Sequence, residues 1–208
     1  MKKIVPHILF LLLTFTSYSQ GVFFNLGKNF STLSYRNKSS FTEGLVINGV
    51  GDAYELGYTA PLKYKNYKDL KYTGSVTLND YNAIAVSSVN RLAYSTTYLG
   101  VQSTVDYQFY DSFNFFVSAK AGLNMSTILR GKQEVDNSVI NLAHQKEFSG
   151  VIIQPLIGVY AKYYLSKTGY LSAGLNLSKS LKLGNNPDNI SINTTQILFG
   201  GYFDLLKR

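Results

Sequence analysis

The sequence alternates between apolar and polar side chains with a period of two residues, and this period constrains its fold more than any other feature. In the stretch GYLSAGLNLSKSLKL, residues 169–183, leucine or alanine occupies most odd positions, and small or polar residues occupy the even ones. A two-residue period places successive side chains on opposite faces of a strand. The stretch is therefore predicted to be a strand with one apolar and one small, polar face.

The same alternation recurs often enough to predict eight strands in all. The seven other segments are residues 22–30, 53–62, 70–78, 97–109, 113–125, 151–165 and 196–205. Each is long enough for the roughly nine to eleven tilted residues that a membrane-spanning strand requires. The abundance of Tyr, Phe and Gly, with 17, 13 and 17 copies, also favours an all-β barrel or sandwich.

The connections between the predicted strands differ in length. The long or polar ones are 35–49, 83–95, 130–148 and 184–191, and the short ones are 63–69, 110–112 and 166–168. Short periplasmic turns and longer external loops are typical of outer-membrane barrels. We therefore expect an all-β fold, an eight-stranded antiparallel up-and-down transmembrane β-barrel, with both termini at the periplasmic rim.

The first residues predict export. Lys2 and Lys3 precede an apolar run that ends at Phe15, and Ser17 and Ser19 occupy the small-residue positions of a cleavage site. Residues 1–19 are therefore expected to be a signal peptide and residues 20–208 the outer-membrane β-barrel. The sequence contains no cysteine, which excludes disulfide bonds and a lipid anchor on a thiol.

The basic balance of the chain raises the question of a nucleic-acid partner. The chain has 20 Lys and Arg against 12 Asp and Glu, and without Lys2 and Lys3 the formal charge is +6. The basic residues are scattered through predicted turns and loops rather than gathered in a patch. Because export also separates the chain from nucleic acid, we expect no such partner.

A secreted soluble ligand-binding barrel is the alternative fold, with the apolar faces turned inward. A soluble surface typically carries about a quarter or more of charged residues. The polar faces of the predicted strands carry few charges: Glu55, Lys71, Asp106, Lys120, Lys162, Lys182 and Asp204. Small polar residues with few charges instead suit the filled lumen of an eight-stranded barrel.

Four of those charges are candidate lumen residues. Glu55 and Asp106 are acidic, whereas Lys120 and Lys162 are basic. An isolated buried ion is costly and a satisfied pair is much less so. We expect the four to form a structural ionic network inside the barrel; a conduction or proton path is the alternative.

Aromatic residues cluster around the short connections. Tyr107, Phe109, Tyr110, Phe113 and Phe115 flank one turn; Tyr163, Tyr164 and Tyr170 flank another; and Tyr64, Tyr67 and Tyr72 lie by the third. Such clusters are typical of the aromatic girdle at a membrane interface. Ordinary strand aromatics are the alternative, because Tyr and Phe favour strands in any case.

Three segments carry a family resemblance: TLNDYNAIA at 77–85, TTYLGVQSTVDYQF at 96–109, and GKQEVDNSVINLAHQKEFSGVIIQPLIGV at 131–159. With the SYSQ ending of the signal peptide, the chain resembles the small outer-membrane β-barrel family of Bacteroidota, whose architecture is that of OmpX-like and PorT-like eight-stranded barrels. The resemblance implies insertion by the outer-membrane assembly machinery and brings no catalytic residue.

The last predicted strand is similar to the recognition signal of that machinery. The resemblance rests on Gly200, Phe203 and Leu205, which have the spacing G-x-x-F-x-L. The chain departs from the signal at Leu198, where a polar residue is usual, and in ending on Lys207 and Arg208 rather than on an aromatic residue.

The sequence predicts no enzyme, metal site or cofactor. His144, Asp136 and Ser138 share the predicted loop 130–148, but no spacing brings them into a defined catalytic geometry. His7 lies in the predicted signal peptide, and no His or Cys cluster has metal-ligand spacing. A solvated loop histidine is the simpler interpretation of His144.

Six basic residues fall in the predicted external loops: Arg36, Lys38, Arg91, Arg130, Lys132 and Lys146. They are candidate contacts for lipopolysaccharide headgroups, with loop solubility as the alternative. We expect a non-enzymatic role, membrane-structural or in surface interaction, with outer-membrane lipid as partner. An accessory role in outer-membrane transport or protein secretion is the alternative, and the functional protein partner is unknown.

Overall fold

The computed structural model describes residues 21–36, 46–62, 69–86, 91–135, 138–142, 150–181 and 189–205. They form nine strands: β1 Gly21–Arg36, β2 Val46–Pro61, β3 Leu70–Val86, β4 Arg91–Ser112, β5 Phe115–Val135, β6 Ser138–Asn141, β7 Val151–Tyr164, β8 Gly169–Lys179 and β9 Asn189–Asp204. The described part of the chain contains no helix long and apolar enough to cross a membrane.

Eight of these strands close into one barrel. Neighbours in the chain pair antiparallel from β1 to β5, then β5 pairs with β7, β7 with β8 and β8 with β9. The first and last strands complete the circle, from Gly21 opposite Asp204 to Arg36 opposite Asn189. The predicted eight-stranded antiparallel up-and-down barrel is therefore confirmed. Strand β6 is an addition, and among the described strands it pairs with the end of β5 alone.

The predicted loop boundaries were wrong in five places. The turn expected at 110–112 lies at Phe113 and Asn114, because β4 continues to Ser112. The other four loops are shorter than expected: β1 and β2 extend into 35–49, β3 and β4 into 83–95, β5 and β6 into 130–148, and β9 into 184–191. Backbone pairing continues through polar sequence here, and a bulge between Thr97 and Tyr98 shifts the alternation that marks a strand.

The barrel has opposite polarities inside and outside. The outward face of each wall strand carries exposed apolar residues, among them Leu26, Leu56, Val76, Val101, Leu123, Ile157, Leu175 and Phe199. The inward face carries buried polar ones, among them Asn25, Thr73, Gln102, Asn124, Gln154 and Asn176. The two faces predicted by the sequence are both present. An apolar exterior of this extent marks a surface that is covered by something other than water.

The described residues form three apolar clusters inside the barrel: a small one of Ala53, Tyr160 and Leu198 in the middle, and one toward each end. The turn-end cluster, near the termini and the short turns, consists of Phe23, Phe116, Tyr164, Tyr170 and Tyr202. The loop-end cluster, toward the other rim, consists of Leu33, Tyr81, Ala83, Tyr98 and Ile192. The polar side chains of the middle therefore lie between two apolar layers.

The predicted aromatic girdle needs one correction. Tyr163 points outward and is half exposed, but Tyr164 and Tyr170 belong to the turn-end cluster inside the barrel. Adjacent residues of a strand point to opposite faces, so Tyr163 and Tyr164 cannot both face outward. Tyr64 and Tyr67 lie outside the described residues.

Candidate functional site

The four predicted lumen charges meet in the middle of the barrel. Glu55 of β2, Asp106 of β4, Lys120 of β5 and Lys162 of β7 are all buried. Lys120 Nζ lies 3.6 Å from Glu55 Oε1, and Lys162 Nζ lies 3.7 Å from Asp106 Oδ2. The structure therefore arranges them as two ion pairs, which the sequence had left unassigned.

Neutral donors complete the coordination of Glu55. Ser75 Oγ and Gln102 Nε2 donate to Oε1 at 2.8 and 2.7 Å, and Asn25 Nδ2 donates to Oε2 at 2.8 Å. These donors come from β1 and β3, which flank β2, and from β4, the next strand round the wall. Three hydrogen bonds and a lysine partner therefore satisfy the buried carboxylate.

Aromatic rings enclose the two ammonium groups. Lys120 Nζ lies 4.5 Å from the ring centre of Tyr160, and Lys162 Nζ lies 4.6 Å from that of Tyr202. Gly174 makes room for the first ring, because a Cβ atom there would lie 2.3 Å from Tyr160. The electron-rich ring faces attract the cations and fill the space beside them.

The turn-end cluster closes the lumen below the ion pairs. Phe23 and Tyr202 stack with ring centres 4.7 Å apart, and Tyr202 and Tyr170 stack at 4.8 Å. Phe116 meets Tyr170 edge to face at 5.4 Å. Rings from four wall strands therefore pack across the interior.

The loop-end cluster lies on the other side of the ion pairs. Tyr81 and Tyr98 pack with ring centres 5.3 Å apart, and Tyr81 Oη donates a 2.9 Å hydrogen bond to Gln154 Oε1 on the far wall. Leu33 and Ile192 complete the layer. The four charged side chains between these two apolar layers are buried, at 2–5% exposure.

The six candidate surface cations do not all lie in loops. Arg130 and Lys132 are exposed residues of β5, and Arg36 and Arg91 are terminal residues of β1 and β4. The expectation that these four lie in loops was therefore wrong, because the strands extend further than the apolar alternation does. Lys38 and Lys146 lie outside the described residues.

The outer wall holds three charged residues that the sequence analysis did not single out, Lys28, Asp52 and Asp80. Lys28 of β1 and Asp52 of β2 point outward and form an ion pair of 2.6 Å. Farther round the wall, Arg130 Nε donates to Thr97 Oγ1 at 2.9 Å, and Thr97 Oγ1 donates to Asp80 Oδ1 at 2.5 Å. These charges could have been found in the sequence because they occupy positions where the alternation predicts an apolar residue. Lys28, for example, lies between Leu26 and Phe30 on the apolar side of its strand.

The remaining candidate residues are placed as follows. Gly200 and Phe203 lie in β9, with Phe203 outward, and exposed Leu205 follows the strand. Ser138 is an exposed residue of β6, whereas Asp136 and His144 lie outside the described residues. Among the residues that the structure does describe, no group of three His, Cys, Asp or Glu side chains could hold a metal ion.

Solved structures share this fold. The outer membrane protein OprG from Pseudomonas aeruginosa superimposes with a TM-score of 0.52 at 12% identity, covering 90% of this chain and 97% of its own. The Neisserial surface protein A, NspA, gives a TM-score of 0.50 at 12% identity, covering 88% of this chain and 97% of its own. No protein-family model matches the sequence. No curated protein matches it either.

Proposed function

We propose that this chain is an integral outer-membrane β-barrel protein with a filled lumen and a non-enzymatic role in membrane structure or surface interaction. The observation that carries the proposal is the polarity of the closed wall, which is apolar outside and polar inside. A soluble barrel needs the reverse, whereas a barrel in lipid needs an apolar band about 25 Å tall. The fold shared with outer-membrane proteins OprG and NspA supports the same placement.

The interior supports a structural role over a catalytic one. The buried charges Glu55, Asp106, Lys120 and Lys162 are paired with one another and lie between two apolar layers. A group that is to bind or transform a substrate must be reachable from a rim. We therefore infer that the ionic network stabilises the barrel, and that the protein acts through its outer wall and its loops without a cofactor.

Lipopolysaccharide is the partner that we propose for the loop end. Arg130 and Lys132 are alternate residues of β5, so both side chains leave the same outward face of the barrel. A strand rises about 3.3 Å per residue and is tilted by 35–45° in such barrels. Measured along the barrel axis, Arg130 and Lys132 therefore lie roughly 35–45 Å above Phe115 at the turn end. This height corresponds to the headgroup region of the bilayer. Two cations there match the phosphates of a lipopolysaccharide headgroup.

The finer assignments follow from the sequence. We propose that residues 1–19 are removed on export, that the outer-membrane assembly machinery inserts the chain through Gly200, Phe203 and Leu205, and that the family is the one found in Bacteroidota. Phe203 on the lipid-facing side of β9 supports this role, since the wall closes through β1 and β9.

The orientation is tested by single cysteines, because the chain has none of its own. We expect Ser138→Cys, on exposed β6, to react with an impermeant maleimide on intact cells. Lys167→Cys, in the exposed turn between β7 and β8, is expected to react only after the outer membrane is opened. The reverse pattern would refute the orientation. Recovery of both variants from the periplasm without detergent would refute the membrane placement itself.

The proposed filled lumen predicts negligible ion conductance. In planar bilayers, the purified protein is expected to show no stable single-channel openings, while a general porin in the same bilayers serves as the positive control. The Tyr81→Ala variant, which opens the loop-end cluster, is also expected to show no channel openings. The turn-end cluster still blocks the lumen at the opposite end. Porin-like openings in the unmodified protein would contradict the filled lumen.

A further inference from the structure

An ion pair lies on the outward face of the barrel wall. Lys28 of β1 and Asp52 of β2 are directly opposite each other in the strand register, with Nζ 2.6 Å from Oδ1. Their side chains are 61% and 42% exposed. Both therefore project away from the lumen, into whatever surrounds the barrel.

The surroundings of this pair are apolar. Leu26 and Phe30 flank Lys28 on the outward face of β1, and Val50 and Tyr54 flank Asp52 on β2, with all four side chains exposed. Phe30 and Val50 continue the exposed apolar face toward the loop end. The pair therefore lies within the band of exposed apolar residues on the outer wall, here called the apolar belt, and not above it. Ionisable groups that face lipid are costly and mark functional contacts.

The middle of the opposite side of the barrel has no outward ion pair among its described residues. There β5 and β7, which lie across the lumen from β1 and β2, present Leu123, Met125, Ile157 and Val159 outward. The wall of β1 and β2 is therefore distinct from the wall that faces it across the lumen.

A recess lies beside the ion pair on the same wall. It has a volume of about 320 Å³ and is lined on the outside by Phe24, Leu26, Tyr54, Leu56 and Val76. Apolar side chains from a second protein surface could enter it and exclude lipid from the pair. Apolar recesses of about 480 and 490 Å³ lie on other parts of the outer wall, so the charge pair and not the recess distinguishes the wall of β1 and β2.

We propose that the wall of β1 and β2 binds a second copy of this chain, related by a two-fold axis along the membrane normal. A two-fold interface requires a self-complementary surface, and a cation beside an anion meets that requirement. Lys28 of each copy then contacts Asp52 of the other. The two half-exposed ion pairs of the separate copies become one group of four charges that alternate in sign. Away from water such charges interact strongly, which favours association over exposure to lipid. This inference rests on the proposed membrane placement.

Charge reversal tests the pairing. Copies of the full chain with two different affinity tags are co-expressed and purified from membranes. Lys28→Glu alone and Asp52→Lys alone are each expected to reduce co-purification about tenfold or more, because each places like charges opposite one another. Co-expression of the Lys28→Glu chain with the Asp52→Lys chain is expected to restore it, since opposite charges then meet again. Loss without restoration in the mixture would overturn the proposed pairing.

Cross-linking tests the geometry of the same interface. Val50→Cys on the proposed interface and Val159→Cys on the opposite wall are matched valines, 53% and 51% exposed. With a short bifunctional maleimide in native membranes, the Val50→Cys chain is expected to give a dimer of twice the monomer mass. The Val159→Cys chain is expected to remain monomeric. Equal yields from the two positions, or attachment of Val50→Cys to a different protein, would overturn the second copy as the occupant.

Two further readouts separate failure of this inference from failure of the proposed function. Each variant is checked for the gel-mobility shift between unheated and heated samples, which reports a folded barrel, and for recovery with the outer membrane. Folded, membrane-bound protein that is monomeric with native Lys28 and Asp52 overturns the dimer alone. Recovery in the soluble fraction overturns the membrane placement, and the dimer inference with it.

Discussion

Replacement of Glu55 by alanine is expected to destabilise the folded barrel by about 3–5 kcal/mol, the usual cost of leaving one partner of a buried ion pair uncompensated. The change removes the carboxylate that faces Lys120 at 3.6 Å and leaves the donors of Ser75, Gln102 and Asn25 without their acceptor. The measurement is a urea titration of the folded protein in lipid vesicles, followed by the gel-mobility shift. Asp111→Ala, at an exposed position of β4, is the control and is expected to change stability by about 0.5 kcal/mol or less.

A double variant distinguishes loss of the pair from loss of volume. Glu55→Gln combined with Lys120→Met keeps both side chains near their original size and leaves neither charge unpaired. Because neutral replacement of a buried pair costs much less than breaking it, the double variant is expected to recover most of the stability lost in Glu55→Ala. If Glu55→Ala matched Asp111→Ala, the ion pair would not be a structural element of the barrel.

Ile157→Arg is expected to cost about 2–4 kcal/mol, because this residue lies outward at the middle of β7, where the proposed bilayer is driest. In a soluble barrel the same exposed position would accept arginine with a change within about 0.5 kcal/mol. The substitution therefore tests directly whether lipid or water covers the wall. Stability is measured by the same urea titration.

Leu129→Arg is the matched control for that experiment. Leu129 is exposed to nearly the same degree as Ile157, at 59% against 61%, but lies beside Arg130 near the loop end of β5. Arginine near the interface costs about 0–1 kcal/mol. Equal, small losses of stability at both positions would argue against a lipid-facing wall. A much larger loss at Ile157 than at Leu129 would show that Ile157 lies deep in the bilayer and Leu129 near its surface.

Local alternation was enough to predict the walls of this barrel. Whether Leu171 or Ser172 faces outward depends on the two-residue period of a strand, which can be seen in a few neighbouring positions. The number of wall strands follows from counting such segments, whereas the pairing of β1 with β9 that closes the barrel is a feature of the tertiary structure. Strand ends were harder to predict, because backbone pairing beyond the apolar belt does not require an apolar side chain, as in β5 from Arg130 to Val135.

The partners of the charges depended on the tertiary structure. The sequence indicates that Glu55 and Lys120 point inward, but only the register across three intervening strand pairs brings their atoms to 3.6 Å. Lys28 and Asp52 interrupt the apolar alternation visibly, yet only their direct opposition in β1 and β2 makes them an outward pair. The sequence by itself thus determined the faces of the strands, since these depend on neighbouring residues, whereas closure of the barrel decided which distant side chains meet.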